Sequence, residues 1–209
     1  MAETSAPSSP IAGLILAGGQ GRRIGGDKAL RLLGGKPLLG HAIARATPQV
    51  GPLAISANGP ARLADFGLPI LADSVPGFAG PLAGILAGMD WAAALGLASI
   101  ASFPCDAPFF PRDLVSRLAE ARRREGAVLA CARSGGRRHP VFALWPTELR
   151  AALRVALTDD GIRRVADWCA RYPVATVDFP MAPFDPFFNV NTPNDLAEAE
   201  TLLAAHRSA

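Results

Sequence analysis

Residues 11–28 read IAGLILAGGQGRRIGGDK. The first part, from Ile11 to Ala17, is a short apolar run, which is typical of a strand buried on both faces. A glycine-rich, basic segment follows at once. Because glycine has no Cβ, such a segment can turn sharply and bring several backbone N–H groups against a ligand. The stretch therefore predicts a buried strand that leads into an anion-binding loop.

The rest of the chain alternates apolar runs with helical periods. Strands or extended segments are predicted at 53–57, 68–72, 98–103, 127–132, 141–145 and 174–177, and helices at 38–46, from 80 onward, near 114–118, over 162–169 and from 192 onward. Thr192 is a good N-cap for the last helix, with Leu196, Ala199 and Leu203 on its inner face. Alternating strands and helices favour a mostly parallel sheet covered on both sides. The prediction is a three-layer, Rossmann-like α/β fold.

Length and composition fit one ordinary globular domain. The chain has 209 residues, of which 50% are hydrophobic and 19% are charged. Residues 1–10, MAETSAPSSP, lack the apolar stretch of an export signal and are predicted to be a flexible tail, which leaves 11–209 as a single domain. No apolar run reaches the roughly 20 residues needed to span a bilayer. We therefore expect neither export nor a membrane anchor.

Charge and cysteine content narrow the functional classes further. The net charge of +3 is too small to indicate a nucleic-acid partner. Only Lys28 and Lys36 are lysines among 21 basic residues, which makes both candidates for a special role. Cys105, Cys131 and Cys169 show no C-x-x-C spacing, which argues against a zinc site or a disulfide framework. Reduced thiols fit a cytoplasmic protein.

Polar residues follow several of the predicted strands where each strand ends. The glycine loop follows Ala17, and Asn58, Asp73 and Asp106 follow later strands. Each alone could be a turn former. Ligands of open parallel sheets bind outside the carboxyl ends of the strands, so the four together favour a binding site.

The loop itself adds positive charge at that edge. Arg22, Arg23 and Lys28 lie where a triphosphate would bind, although a flexible basic loop is the alternative. The spacing matches neither a G-x-G-x-x-G dinucleotide fingerprint nor a G-x-x-x-x-G-K-[ST] phosphate loop. The pattern therefore indicates a different class of nucleotide-binding loop.

These motifs together resemble a known family. The matching elements are LAGGQGRRIGGDK at 16–28, GKPL at 35–38, AN at 57–58, ADS at 72–74, GPLAG at 80–84, PCDAP at 104–108, RHPV at 138–141 and NVNTP at 189–193. They resemble the NTP-transferase-like nucleotidyltransferases and, within them, the MobA family of molybdenum cofactor guanylyltransferases. One departure is that Gly26 runs directly into Asp27-Lys28, whereas the family commonly has an extra residue there, which affects the reach of Lys28.

The resemblance implies roles on the nucleotide side. Backbone groups at the start of the glycine loop would line the guanine and ribose pocket, and two strand-end residues would hold the nucleoside. In sequence order these residues are Leu16, Ala17, Gly18, Gly19, Asn58 and Asp73.

The resemblance also implies roles at the reacting phosphates. Lys28 would contact the GTP phosphates with support from Arg23, Asp106 would bind Mg²⁺, and Asn189 and Asn191 would lie on the catalytic side of the cleft. A carboxylate at a strand end suits Mg²⁺ chemically, because this ion takes oxygen ligands and binds through one or two carboxylates plus phosphates. The alternative for Asp106 is a turn or N-cap aspartate before Pro108.

The implied reaction transfers GMP from GTP to the phosphate of molybdopterin and releases pyrophosphate. That nucleophile is already ionised near pH 7, which fits a sequence without an obvious general-base constellation. Two alternative functions use the same active-site residues with another substrate. They are a molybdenum cofactor cytidylyltransferase and a sugar-phosphate nucleotidyltransferase. A third is a non-catalytic nucleotide-binding or cofactor-delivery protein. Transient docking to molybdoenzymes or accessory cofactor proteins is a further expectation.

Two aromatic features have open interpretations. His139 either approaches the acceptor or caps a strand by hydrogen bonding. Phe184, Phe187 and Phe188 either stack on a pterin or cover the core. The sequence alone does not separate these alternatives.

Overall fold

The computed structural model describes residues 11–18, 28–59, 61–75 and 80–207. Within these ranges a seven-stranded sheet runs through the molecule. In sheet order its strands are β5 (Ile70–Leu71), β4 (Leu53–Ser56), β1 (Ala12–Leu16), β6 (Ser99–Pro104), β8 (Arg137–Pro146), β7 (Leu129–Ser134) and β9 (Val174–Asp178). A separate antiparallel hairpin pairs β2 (Leu32–Leu33) with β3 (Lys36–Pro37).

The seven-stranded sheet is mostly parallel, as the sequence predicted. Strand β1 pairs in parallel with β4 on one side and with β6 on the other. Strand β8 runs antiparallel to both of its neighbours. Because the chain leaves β1 for one side of the sheet and later returns to the other side, the sheet reverses its order between β1 and β6. That point is where ligands bind in open α/β sheets.

Helices cover both faces of the sheet and complete three layers. They are α1 (Leu38–Ala46), α2 (Pro81–Ala94), α3 (Leu114–Glu125), α4 (Arg150–Thr158), α5 (Val165–Cys169) and α6 (Pro193–Arg207). On one face α1 and α3 pack with Ile15, and on the other α2, α4 and α5 pack with Leu14. Neighbouring β1 side chains thus enter opposite cores, as the two-residue period of a strand requires.

Helix α2 approaches the sheet closely because it carries glycine on its inner face. A Cβ placed on Gly88 would lie 2.6 Å from a methyl carbon of Leu14 and 3.1 Å from one of Ile100. Leu82, Ile85, Leu86 and Met89, which follow the helical spacing, are all buried.

Two predicted elements differ from the structure, and one observed helix was not predicted. The predicted strand 68–72 is reduced to the two residues of β5. The predicted helix 162–169 begins only at Val165, because Gly161 has a φ of +67° and the Ile162 N–H still bonds to Ala156 at the end of α4. Helix α4 itself was not predicted. The Thr192 N-cap is confirmed, since its Oγ1 accepts a hydrogen bond of 3.1 Å from the Asp195 N–H.

Candidate active site

The carboxyl ends of β4, β1 and β6 lie side by side and form the floor of the candidate site. Leu16, at the end of β1, is in register with Ser56 of β4 and with Pro104 of β6. The Ala17 N–H bonds to Ser56 O at 2.9 Å, and the Cys105 N–H bonds to Leu16 O at 3.1 Å. The start of the glycine loop is therefore attached to both neighbouring strand ends.

Lys28 reaches this floor from the far end of the glycine loop. Its Nζ lies 2.5 Å from Asp106 Oδ2 and 2.7 Å from Asn191 Oδ1. The Lys28 and Asp106 side chains are only 12% and 22% exposed. Three segments that are distant in the chain therefore meet at the Lys28 ammonium group. Each of them contains a residue that the sequence predicted for the site.

The second carboxylate oxygen of Asp106 lacks a hydrogen-bond partner in the described part of the chain. Oδ1 is buried and has no hydrogen-bond partner among the described residues. An unsatisfied buried oxygen of this kind costs roughly 1–3 kcal/mol, and more when it is charged. A cation bound at Oδ1 would remove that cost, so the donor chemistry fits a divalent metal ion.

The surroundings also fit an ion that shares its coordination with a substrate. Among the described residues no group of three or more histidine, cysteine, aspartate or glutamate side chains could hold a metal. Mg²⁺ usually binds through one or two carboxylates and completes its shell with water and phosphate oxygens. A single carboxylate beside the start of the glycine-rich segment agrees with that pattern.

The segment 189–191 is fixed to the same corner by its backbone. The Val190 N–H bonds to Asp106 O at 2.8 Å. Asp195 Oδ2 accepts hydrogen bonds from the N–H groups of Asn191, at 2.7 Å, and Thr192, at 2.9 Å. The hydrogen bond from the Asn191 N–H is the main cause that lowers the pKa of Asp195, and the bond from Thr192 adds to it. Asn191 therefore faces Lys28 because the start of α6 holds its backbone.

Asn58 and Asp73 form a reciprocal pair beyond β4 and β5. Asn58 Nδ2 donates to Asp73 Oδ2 at 2.5 Å, and the Asp73 N–H donates to Asn58 Oδ1 at 2.8 Å. The two residues predicted to hold a nucleoside thus lie together at the same sheet edge.

Several predicted residues of the loop lie outside the described part of the chain. Gly19, Arg22 and Arg23 belong to the stretch 19–27, which the structure does not describe. The position at which this sequence is one residue shorter than the family pattern also lies in this stretch. Lys28 nevertheless reaches the carboxylate of Asp106.

The structure separates the alternatives left open for the aromatic residues. His139 is 8% exposed and its Nε2 lies 2.8 Å from Ser134 Oγ, so it hydrogen-bonds within the protein. Burial lowers the pKa of His139. Phe187 is buried in the core, and the Phe184 ring packs edge-on against Phe109 with centroids 5.1 Å apart.

Two polar residues near the site were not identified from the sequence. Ser134 Oγ donates to Asp185 Oδ1 at 2.8 Å, which links the His139 pair to the segment before Asn189. For Asp185 a signal existed, since aspartate followed by proline is typical of a turn. A single serine at the end of a strand gives no such signal.

Cys105, beside Asp106, is an unreactive thiol. Burial is the main cause that raises its pKa to about 12, and the Asp106 carboxylate adds to the effect. Cys105 is a free, buried residue directly after the end of β6.

Comparison with known proteins identifies the family to which this chain belongs. The profile of the MobA-like NTP transferase domain matches residues 13–174. The chain is 54% identical over 205 residues to the molybdenum cofactor guanylyltransferase of Bradyrhizobium sp. (strain ORS 278), with 96% of this chain and 97% of the relative covered. It is 56% identical over 200 residues to the enzyme of the same name from Rhodopseudomonas palustris (strain HaA2), with 94% and 93% covered.

Solved structures show the same fold. Molybdopterin-guanine dinucleotide biosynthesis protein A from Archaeoglobus fulgidus superposes with a TM-score of 0.73 at 24% identity, covering 93% of this chain and all of that one. A Mycobacterium tuberculosis protein in complex with manganese superposes with a TM-score of 0.67 at 17% identity, covering 92% and 99%. The three-layer nucleotidyltransferase fold is therefore confirmed.

Proposed function

We propose that this chain, which belongs to the MobA-like NTP transferase family, transfers GMP from GTP to the phosphate of molybdopterin. The products are molybdopterin guanine dinucleotide and pyrophosphate. The observation that carries the proposal is the convergence of Lys28, Asp106 and Asn191 at the carboxyl end of β6, beside the start of the glycine loop.

The reaction joins two anions. An oxygen of the acceptor phosphate forms a bond to the α-phosphorus of GTP, while the bond between that phosphorus and the β-phosphate oxygen breaks. The acceptor oxygen already carries negative charge near pH 7, so no general base is needed. Catalysis therefore consists mainly of neutralising charge and of holding the attacking and leaving oxygens in line.

Lys28 supplies positive charge for the triphosphate. Its ammonium group lies between Asp106 and Asn191. A triphosphate carries more negative charge than these two oxygens, so it would attract the ammonium group. Arg23, in the same loop, is proposed to support the phosphates.

Asp106 is proposed to hold Mg²⁺ through its Oδ1. The bound ion would supply charge neutralisation of the reacting phosphates and orient them. The buried, unpartnered state of Oδ1 supports this role. Lys28, on Oδ2, would remain near enough to share the same phosphates.

The nucleoside is proposed to bind on the β1–β4 side of the site. Asn58 and Asp73 present amide and carboxylate groups there, and the backbone at Leu16, Ala17, Gly18 and Gly19 would line the pocket. The names of the relatives favour guanine as the base.

Molybdopterin is proposed to bind on the opposite side, against Asn189 and Asn191. The Val190 bond to Asp106 O holds the backbone between the two asparagines at the Asp106 corner, which supports this assignment. Their amide groups can donate hydrogen bonds to the acceptor phosphate.

The cellular setting follows from the same proposal. We place the protein in the cytoplasm, with residues 11–209 as one catalytic domain and with transient docking to molybdoenzymes or accessory cofactor proteins. The predicted tail, residues 1–10, lies outside the described part of the chain. Among the described residues no helix is long and apolar enough to cross a membrane.

The test is to incubate the purified protein with Mg²⁺, molybdopterin and each of the four NTPs, and to determine the mass of the product. We expect pyrophosphate release and a dinucleotide product with GTP. A product only with CTP, or only with a sugar phosphate in place of molybdopterin, would favour one of the alternative transferases. GTP binding without pyrophosphate release would favour a binding protein.

A further inference from the structure

A buried chain of hydrogen bonds links β7 and β8 to the segment that leads into the active site. His139 Nε2 lies 2.8 Å from Ser134 Oγ, and Ser134 Oγ lies 2.8 Å from Asp185 Oδ1. Ser134 and His139 are only 2% and 8% exposed. Polar groups buried to this extent are costly unless every partner is in place, so the network restrains its members strongly.

The direction of the chain follows from the number of available protons. An ionised carboxylate only accepts hydrogen bonds, and a serine hydroxyl has one proton to donate. Ser134 therefore donates to Asp185, and its oxygen must accept from His139 Nε2–H. Burial, which lowers the pKa of His139 against the opposing effect of Asp185, favours the neutral ring that this arrangement uses.

This direction rules out a nucleophilic serine. In a serine nucleophile the histidine accepts the hydroxyl proton, whereas here the histidine donates to the hydroxyl oxygen. Ser134 is also buried. The network therefore restrains a neighbouring part of the chain and does not carry out chemistry.

The held element is the segment that follows Asp185. Asp185 Oδ1 also accepts the Phe187 N–H at 3.0 Å, and the Phe188 N–H bonds to Asp185 O at 3.1 Å. The Phe187 ring lies against the His139 ring, with centroids 4.6 Å apart. Both the turn and the first aromatic residue are thus fixed from one side.

The other end of the segment is fixed at the active site. The Val190 N–H bonds to Asp106 O, and Asn191 Oδ1 accepts from Lys28. Asn189 lies between the two fixed points. A change in the Asp185 turn would therefore act directly on Asn189, and would reach Asn191 only through Val190 and its bond to Asp106 O.

We propose that Ser134, His139 and Asp185 are positioning residues that set the place of Asn189 and Asn191 for the acceptor substrate. The inference rests on the proposed function, because it assigns the two asparagines to molybdopterin. The hydrogen bonds of these three side chains run to one another and to the Phe187 N–H, so they would act through the backbone of 185–191. A displacement of about 1 Å at a reacting group can cost about a hundredfold in rate.

The activity test compares Asp185→Ala with Asp185→Asn. Both remove the charge, but asparagine keeps an oxygen that accepts from Ser134 and Phe187. We expect Asp185→Ala to raise the KM for molybdopterin about tenfold or more, with a smaller change in the KM for GTP. Asp185→Asn should restore the KM for molybdopterin to within about threefold of wild type. Equal changes in both KM values, or no rescue by asparagine, would overturn the inference.

A second measurement needs no substrate and covers the case in which Asp185→Ala does not fold. Ser134→Ala keeps Asp185 and removes only the central hydroxyl. We expect faster amide hydrogen exchange at Phe187 and Val190, with unchanged exchange in β1. The control is Ser102→Ala, which removes another buried serine, bonded to Trp145 Nε1 and Val141 O.

The two measurements distinguish a failure of the positioning role from a failure of the proposed function. If Ser134→Ala leaves exchange at Phe187 and Val190 unchanged, or if Ser102→Ala accelerates it equally, the positioning role is wrong. If wild-type protein forms no dinucleotide from GTP and molybdopterin, the proposed function fails, while the exchange measurement still decides whether the network holds the segment.

Discussion

Lys28 Nζ and Asp106 Oδ2 lie 2.5 Å apart, although 78 residues separate them in the chain. This ion pair joins the end of the glycine loop to the corner that follows β6. A pair that is mostly withdrawn from solvent carries a desolvation cost, and an isolated structural role repays it poorly. The arrangement is better explained by a site that exchanges this pairing for contacts with a metal ion and phosphates.

Replacing Asp106 should stop the reaction and leave the fold intact. We expect Asp106→Ala to lower kcat by about a hundredfold to a thousandfold or more, since it removes the proposed metal ligand. The measurement is pyrophosphate release, with far-ultraviolet circular dichroism to check the fold. Near-normal turnover would exclude Asp106 as the metal ligand.

Replacing Lys28 should impair the handling of GTP. Lys28→Met keeps the length of the side chain and removes its charge, so we expect a higher KM for GTP and a lower kcat, by about tenfold or more in kcat/KM. The control is Arg154→Ala, which removes a cation that pairs with Asp90 on the surface. Unchanged KM and kcat in Lys28→Met would refute the assignment.

Removing divalent ions should abolish transfer reversibly. Treatment with a chelator should stop pyrophosphate release, and added Mg²⁺ should restore it. In Asp106→Asn, which weakens the proposed ligand, the Mg²⁺ concentration needed for half-maximal rate should rise. Full activity of the chelated protein would contradict the proposed metal dependence.

Asp195 should make a pH-dependent contribution to stability. Its pKa is lowered in the folded protein, chiefly by the hydrogen bond from the Asn191 N–H. A lowered folded pKa means that the stabilisation is present above the unfolded pKa and is lost as pH falls through the folded value. We expect Asp195→Ala to cost about 0.5–1 kcal/mol at pH 7, and less at an acidic pH below the unfolded value of about 3.9. Urea unfolding at both pH values checks this, and an equal loss at both would disagree.

Because α2 lies close to the sheet, replacing Gly88 should lower the stability of the protein. In Gly88→Ala the new methyl group would meet the buried side chains of Leu14 and Ile100, and we expect a loss of about 1–3 kcal/mol. The control is Gly40→Ala in α1, where the nearest atoms belong to the flexible side chain of Lys36. That change should be neutral or stabilising by up to about 1 kcal/mol. Equal melting temperatures for both variants would contradict the packing argument.

The sequence predicted elements with strong local signals. Helix α1 has the predicted bounds, because Pro37 and the apolar spacing define it. The Thr192 cap and the burial of Ala199 were predicted for the same reason. Strand ends were predicted well enough to bring Asn58, Asp73 and Asp106 to one edge.

Features that depend on long-range contacts were not predictable in the same way. The antiparallel direction of β8 depends on pairing with β6 and β7, which leaves no local mark. The link between Ser134 and Asp185 joins residues 51 positions apart. The sequence predicted candidate residues for the chemistry, and only the folded chain shows which of them lie together and which are held by buried partners.

The most direct test of the central claim is the anomalous signal of Mn²⁺ in crystals of the protein grown with a non-hydrolysable GTP analogue. We predict a single strong peak in contact with Asp106 Oδ1 and with the phosphates, and Lys28 Nζ turned towards the triphosphate. A metal peak or a triphosphate away from the Asp106 corner would contradict the claim that this corner is where the guanylyl group is transferred.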